Sequence, residues 1–452
     1  MYRIVSSPRS PRVFRKSLQL AALEDLLPDH EIEAVCRDAG HTWRRRQLPP
    51  GPTVRSMVYR GLHPDHSIAA VLADLGALLG PQTPTPTDSA WCQARSRLPE
   101  TVLRTLLVRE ARQVRRRFGR HHRWHGRQVF RVDGSTVSMP DEPSLVQTFG
   151  YTRTRHGRSR FPVARILFVE LSGLEVVWAY RMDQYPRAED AQFHDLWEHL
   201  PSGCICLLDR KFCSFYNLAK LRQRTIHVVC PLHQNRDPQR LIARGWPLGK
   251  NEWLVPLGLC SVLRRRYHDS SLPPELWVRL LRVDFRRGAR RHTLWLVTTL
   301  IDWVRYPRDE VAQLYRARWG IETRIGSLKT TLEMNVLRSK SPQAVRREVG
   351  AIVLGHNLVW RRIHEASEAT QTPSGDISFA GAVKVVLAFS GALLHATAAT
   401  RRPLRDKMLF QIARQTNHHP FGRVEPRLLK RETARFAYLR EPRWKARRKC
   451  LS

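Results

Sequence analysis

Between Gln128 and Cys230 the chain runs through a succession of segments that few architectures accommodate. Gln128-Val-Phe-Arg-Val is a β-prone run that ends in Asp133 and a glycine. Arg165–Leu171 and Leu174–Tyr180 are rich in branched and aromatic side chains and flank Ser172-Gly173, the composition of a tight hairpin. Arg187–Leu200 has helical spacing, and Cys204–Phe212 opens as a largely apolar strand that reaches Asp209-Arg210. Phe215–Arg222 reads as another helix and Ile226–Cys230 as another strand. Three strands, a helix, a strand, a helix and a strand predict an α/β core around one sheet. Asp133 and Asp209 each stand where a strand gives way to a turn, and either acid taken alone is an ordinary strand-end residue.

Further along, Tyr306-Pro307-Arg308-Asp309-Glu310 has the composition of a helix start, with proline early and acids near the positive end of the helix dipole. At about 100° per residue, Leu314, Ile321, Ile325, Leu328 and Leu332 fall on one apolar stripe. Tyr315, Arg318, Glu322 and Lys329 fall together on an adjoining stripe, within about 60° of one another. Such a helix would pack one side on a core and present a phenol, a guanidinium, a carboxylate and an ammonium beside it. A carboxylate flanked by phosphate-binding groups suits metal-assisted phosphoryl transfer. An amphipathic helix with a solvated polar face has the same pattern.

Composition narrows the partners. There are 77 Lys+Arg against 40 Asp+Glu, a formal charge of +37 and a pI near 11.2. That excess favours a polyanion, because each neutralised phosphate releases condensed counterions. An anionic membrane surface is the rival, but there is no apolar run of about 18 residues, no signal peptide and no single basic amphipathic helix. The charge is spread along the chain, as a long nucleic-acid track requires. Eight cysteines in 452 residues are too few for a disulfide framework. Cys204, Cys206, Cys213 and Cys230-Pro-Leu-His233 lack paired zinc spacing and are expected to be buried free thiols in a reducing cytoplasm.

The order of elements is that of a ribonuclease H-like fold. Tyr315, two residues, Arg318, three residues, Glu322, six residues, Lys329 resembles the Tyr-Arg-Glu-Lys signature of DDE transposases of bacterial insertion sequences, the "IS-four" group. Asp133-Gly134-Ser135-Thr136 and Asp209-Arg210 resemble the wording around that family's first two catalytic aspartates. The resemblance implies an α/β, ribonuclease H-like catalytic core with a mostly β insertion and an N-terminal helical domain. The corresponding boundaries are 1–117 for a helical DNA-binding domain, 118–235 and 301–365 for the two parts of the core, 236–300 for the insertion and 366–452 for a basic C-terminal region. In that fold the first and fourth strands are neighbours, so Asp133 and Asp209 would face each other. Two such carboxylates raise one another's pKa unless a cation lies between them. Asp133, Asp209 and Glu322 are therefore expected as catalytic ligands of Mg²⁺, with Mn²⁺ as a substitute.

By the same resemblance, Tyr315, Arg318 and Lys329 grip DNA phosphates, and Trp295 holds a flipped base during hairpin formation, as an indole face offsets unstacking. Trp295 also reads simply as a core residue of an insertion strand. The implied activity is cut-and-paste excision and strand transfer. Its partners would be double-stranded DNA, at terminal inverted repeats and at the target, and a second copy of the chain in the DNA complex, without a membrane. The implied location is the bacterial cytoplasm, on the nucleoid when DNA is bound. A catalytically silent DNA-binding descendant and a ribonuclease H-type nuclease are the alternatives.

The flanks fit this outline. Helices are expected from about Ser17 to Ala39, from Thr53 to Leu62, after His66-Ser67, after an Asp88-Ser89 cap and from Glu100 to Phe118. The short Arg- and Gln-bearing segment Ala90–Arg97 could read DNA as part of a helix-turn-helix. The β-prone pieces between 236 and 300 include an arginine-dense tip, Arg286–Arg291, and the tail carries Arg443-Trp444-Lys445. The tip suits phosphate contact and equally reads as a solvated basic turn, whereas the interleaved aromatic and basic residues of the tail favour nucleic-acid backbone contact over a disordered solubilising extension.

Overall fold

The computed structural model describes residues 23–44, 48–79, 84–154, 157–259, 265, 267–287, 290–417 and 448, which divide between two compact units.

One unit takes Ala111–Ser135 and Arg165–Gly326. The chain's strands are β1 (Val129–Ser138), β2 (Arg153–Thr154), β3 (Gly157–Arg158), β4 (Val163–Leu171), β5 (Val176–Gln184), β6 (Ile205–Leu207), β7 (His227–Pro231), β8 (Trp246–Gly249), β9 (Glu252–Gly258), β10 (Glu275–Arg287) and β11 (Arg290–Thr298). Apart from a β2–β3 ribbon, they form one nine-stranded sheet in the order β5-β4-β1-β6-β7-β11-β10-β9-β8. β1 pairs with β6 in parallel, Val129 opposite Ile205 and Arg131 opposite Leu207, and β6 pairs with β7 in parallel. Parallel neighbours need crossovers, which the helices Glu189–His194 and Phe215–Gln223 help to supply. The strand order through β7 is the ribonuclease H-like order expected from the sequence.

The β-rich segment does not form a sheet of its own. β11 adds antiparallel to β7, with Val297 opposite Cys230, and β10 and β9 follow in turn. A free strand edge is a template for pairing, and β7 offers one. Arg279 on β10 is fully buried and pins the junction: it donates to Glu252 and to the carbonyls of Leu300 and Tyr306. Arg286 pairs with Arg291 and Arg287 with Arg290 along the backbone, while the side chains of that tip lie outside the described residues.

The other unit takes the described residues of Met1–Glu110, Thr136–Ala164 and Ser327–Ser452. Here the N-terminal helices pack against the long helix Pro342–Thr370. Two glycines explain the fit. A Cβ on Gly61 would lie 3.2 Å from the Ile352 Cα, and one on Gly355 would lie 3.2 Å from Leu62. The helix Asp88–Arg97 is capped one residue earlier than expected, because the Thr87 hydroxyl accepts the Ala90 N–H. Cys36, Cys204, Cys206, Cys213 and Cys230 are buried free thiols, as expected. Among the described residues no helix is long and apolar enough to cross a membrane. The basic tail Arg443–Lys449 lies outside the described residues except for Arg448.

Candidate active site

Strand alternation places the two aspartates. Val129 on β1 packs with Ile205, Leu207, Leu296, Val311, Leu314 and Tyr315, so the face of the sheet it occupies is the one covered by the helix Arg308–Arg316. Arg131 and Asp133 follow at two-residue intervals and share that face. On β6, Ile205 and Leu207 face the same way, and the same parity carries Asp209 to that side at the strand's end. β1 itself runs past Asp133-Gly134 instead of turning there. Its last residue finds partners, the Ser138 N–H donating to Asn335 and its carbonyl accepting from Leu337.

The third carboxylate arrives on the covering helix, which is not continuous as the sequence predicts. Arg308–Arg316 is α-helical, Ala317–Trp319 tightens into a single 3-10 turn, and Gly320–Thr330 resumes the α-helix. The apolar stripe is as expected, with Leu314, Ile321, Ile325, Leu328 and Leu332 all buried. The polar stripe is not uniformly solvated. Tyr315 and Arg318 are 4 % and 8 % exposed, whereas the Glu322 side chain is 52 % exposed. Tyr315 is thus no open phosphate ligand here. Its hydroxyl donates to the Leu208 carbonyl at 3.3 Å, which ties the helix to the residue before Asp209, and burial pushes its phenol pKa up.

Arg318 joins the acids. Its Nη2 donates to Glu322 Oε1 at 2.9 Å and its Nη1 stands 3.7 Å from Asp133 Oδ2. Each aspartate spends one oxygen on the next residue's N–H, Asp133 on Gly134 at 2.8 Å and Asp209 on Arg210 at 2.7 Å. Burial raises the Asp133 pKa, and the Glu322 and Asp209 charges add to the rise. The Gly134 N–H and Arg318 offset only part of it. For an acid shifted upward, the protonated form carries stability that is lost as pH rises through the shifted pKa. Asp133→Asn, which mimics the neutral carboxyl, is therefore expected to melt higher than wild type in chelator at neutral pH, with the gap closing in acid. Thermal melts across that range check it, and a lower-melting variant at neutral pH would contradict it.

The remaining candidates are distributed differently. Lys329 stands half-buried in the last turn of the helix whose first turn carries Glu322. Trp295 sits on β11 opposite Arg282, between Leu294 and Leu296, which face the covered side. Its indole therefore lies on the other face of the sheet, half-buried and 5.8 Å from the Trp253 ring. The structure brings Asp133, Asp209, Arg318 and Glu322 together and does not bring Trp295 to them. Trp295→Ala is accordingly expected to cost about 1–2 kcal/mol of stability, less than a fully buried truncation, and to lower nicking and any hairpin formation together. Normal nicking with loss of the hairpin alone, in a protein of unchanged stability, would restore the base-holding role.

Sequence reasoning passed over Trp319, whose indole is 48 % exposed beside Arg318, with the guanidinium carbon 5.8 Å from the ring centre. The available signal was a large aromatic lying off the apolar stripe. The three carboxylates form an all-oxygen donor set suited to a hard divalent cation; the upward shift at Asp133 comes first from burial, and the Glu322 and Asp209 charges add to it. The residues fit such an ion. They stand wider apart than one group elsewhere: among the described residues, only His63, Asp65 and His66 form a set of three such side chains with ligand atoms within 4.8 Å of one another.

Comparison with known proteins identifies the family. Residues 124–358 match the family described as "Transposase DDE domain", and residues 17–108 match "Insertion element 4 transposase N-terminal". The chain is 27% identical over 346 residues to the transposase InsG for insertion sequence element IS4 of Escherichia coli (strain K12), covering 75% of this chain and 76% of that protein. It is 28% identical over 214 residues to the putative transposase InsZ of the same organism, covering 46% of this chain and 70% of that one. Among solved structures it is similar to a piggyBac transposase synaptic complex with hairpin DNA, at 13% identity and a TM-score of 0.42, over 93% of this chain and 88% of that chain.

Proposed function

We infer the chemistry from the family to which the chain belongs, the DDE transposases: it is a DNA transposase, an enzyme of DNA cleavage and strand transfer, and we propose that Asp133, Asp209 and Glu322 are its catalytic carboxylates. The observation that carries this reading is the convergence of acids from three separate elements on one face of the sheet, two by strand parity and one by the covering helix. The family is generally dependent on a divalent metal, and the oxygen donor set suits Mg²⁺, with Mn²⁺ as a substitute. Bound there, the metal would make water nucleophilic at neutral pH and stabilise the leaving oxygen.

The chain's own residues supply position and charge. Asp133 and Asp209 are fixed by the N–H groups that follow them, and Arg318 lies where a phosphate beside the scissile bond would need a cation. Lys329 would hold a second phosphate, and Tyr315 would act by anchoring the Leu208 carbonyl beside Asp209. In the first step a water oxygen bonds to phosphorus and the 3′ oxygen leaves as a hydroxyl. In the second, that hydroxyl attacks a phosphodiester of target DNA, whose own 3′ oxygen leaves. The proposal is cut-and-paste movement of an insertion sequence by a homodimer on DNA. The helical segment 1–117 would bind terminal inverted repeats, 118–235 and 301–365 would form the core, and 236–300 and the basic 366–452 would add backbone contacts.

The test is a strand-transfer assay with the element's own ends, taken as the inverted repeats that flank the reading frame. Joined products with Mg²⁺ support the proposal. Binding without any cleavage would favour a silent DNA-binding descendant, and cleavage without joining would favour a stand-alone nuclease.

A further inference from the structure

A buried ionic cluster outside the three carboxylates ties the covering helix to β1. Arg131, two residues before Asp133 on the same face, is 3 % exposed, which is rare for a guanidinium unless it is paired. Its Nη1 donates to the Ala317 carbonyl at 3.1 Å, and its Nη2 donates to Glu170 at 2.9 Å and to Glu175 at 2.5 Å. Glu175 also accepts from Arg324 Nε at 2.6 Å. Burial pushes the Glu170 carboxyl well above its usual range. At Glu175 burial acts the same way, but the Arg131 and Arg324 charges outweigh it and hold the carboxyl below its usual range. Two cations and two acids thus close on one another, and the cluster touches the helix at Ala317 and at Arg324, on either side of Glu322.

Gly320 belongs to the same device. Its φ is an ordinary helical −56°, so no backbone conformation demands glycine there. Space does: a Cβ at 320 would lie 1.8 Å from Arg131 Nη1 and 2.9 Å from its Cζ. The tip of an arginine usually swings aside cheaply, but this one moves only by giving up its bonds to Ala317, Glu170 and Glu175. The 3-10 turn Ala317–Trp319 therefore sits against the guanidinium of the strand that carries Asp133. On a strand, residues two apart are a fixed distance of about 6.5 Å from each other, so holding the helix by Arg131 also sets it against Asp133.

We propose that Arg131, with Glu170, Glu175, Arg324 and the space left by Gly320, is a positioning cluster that sets Glu322 against Asp133 for divalent-cation binding. It touches neither cation nor DNA, and it acts through the helix. This rests on the reading of Asp133, Asp209 and Glu322 as cation ligands. Residues that orient metal ligands from outside typically change metal affinity by about 10–100-fold when lost.

The test measures Mn²⁺ binding to the full-length protein, by the electron paramagnetic resonance of free Mn²⁺, alongside melting temperature and binding to element-end DNA. Wild type, Glu322→Ala, Gly320→Ala, Arg131→Lys and Arg324→Gln are compared. Gly320→Ala and Arg324→Gln are expected to bind DNA like wild type and Mn²⁺ about tenfold more weakly. Arg131→Lys, which keeps the charge but lacks the fork, is expected to weaken Mn²⁺ binding too. If Arg131→Lys fails to fold, the half-buried Arg324→Gln decides the matter. Wild-type Mn²⁺ affinity in folded Gly320→Ala and Arg324→Gln, with or without a lower melting temperature, would make the cluster merely structural and overturn the proposal. Equal Mn²⁺ binding by wild type and Glu322→Ala would instead overturn the ligand assignment on which it rests.

Discussion

Asp133→Ala, Asp209→Ala and Glu322→Ala are each expected to bring cleavage at the element ends down to background while binding to those ends stays near wild type. The three positions are equivalent only if they serve one cation site. Asp133 belongs to β1, Asp209 follows β6 and Glu322 rides on the covering helix, so no shared local structure links them. The Glu322 side chain is half-exposed and Asp209 is partly so, and truncating either removes little packing. Equal loss of activity from such different environments would therefore speak for chemistry and against misfolding. Gel-shift and cleavage assays on the same preparations check it. Near-wild-type cutting by any one variant would remove that residue from the site.

Arg318→Ala is expected to have the next largest effect, on cleavage and on salt dependence together. Its guanidinium lies against both Asp133 and Glu322 and is mostly buried, so its loss removes the nearest positive charge from two carboxylates. If it also meets a phosphate when DNA binds, the slope of log affinity against log salt falls by about one unit. Arg318→Lys keeps a charge but loses the fork, and is expected to recover the slope better than the rate. Arg324 serves as the control: its Nε is committed to Glu175, so Arg324→Ala is expected to leave the salt slope unchanged. Titrations of end-DNA binding at several salt concentrations measure these slopes. An unchanged slope in Arg318→Ala would remove the phosphate contact.

The core strands were legible in the sequence because their apolar runs and acid ends are local. Val129-Phe-Arg-Val-Asp133 and Cys204–Asp209 carry their parity in the chain itself, and the apolar stripe from Leu314 to Leu332 is plain periodicity. What was not legible depended on partners far away in sequence. The break at Ala317–Trp319 arises where Arg131 takes the Ala317 carbonyl, and nothing within the helix sequence announces a 3-10 turn. Tyr315 looked like a surface phenol because the Leu208 carbonyl that accepts its hydroxyl lies 107 residues earlier. Trp295 was placed by its neighbours in the chain, but which face it takes follows from Leu294 and Leu296 joining the core beneath the covering helix. Asp133-Gly134 read as a turn because glycine usually ends a strand, yet β1 continues to Ser138, whose partners are Asn335 and Leu337.

The most direct measurement is the position of manganese in crystals of the protein with element-end DNA, located by anomalous scattering at the manganese edge. The account expects density bounded by Asp133, Asp209 and Glu322, and its loss in Glu322→Ala. Manganese at His63, Asp65 and His66, the tightest potential ligand group among the described residues, with none among the three carboxylates, would contradict it.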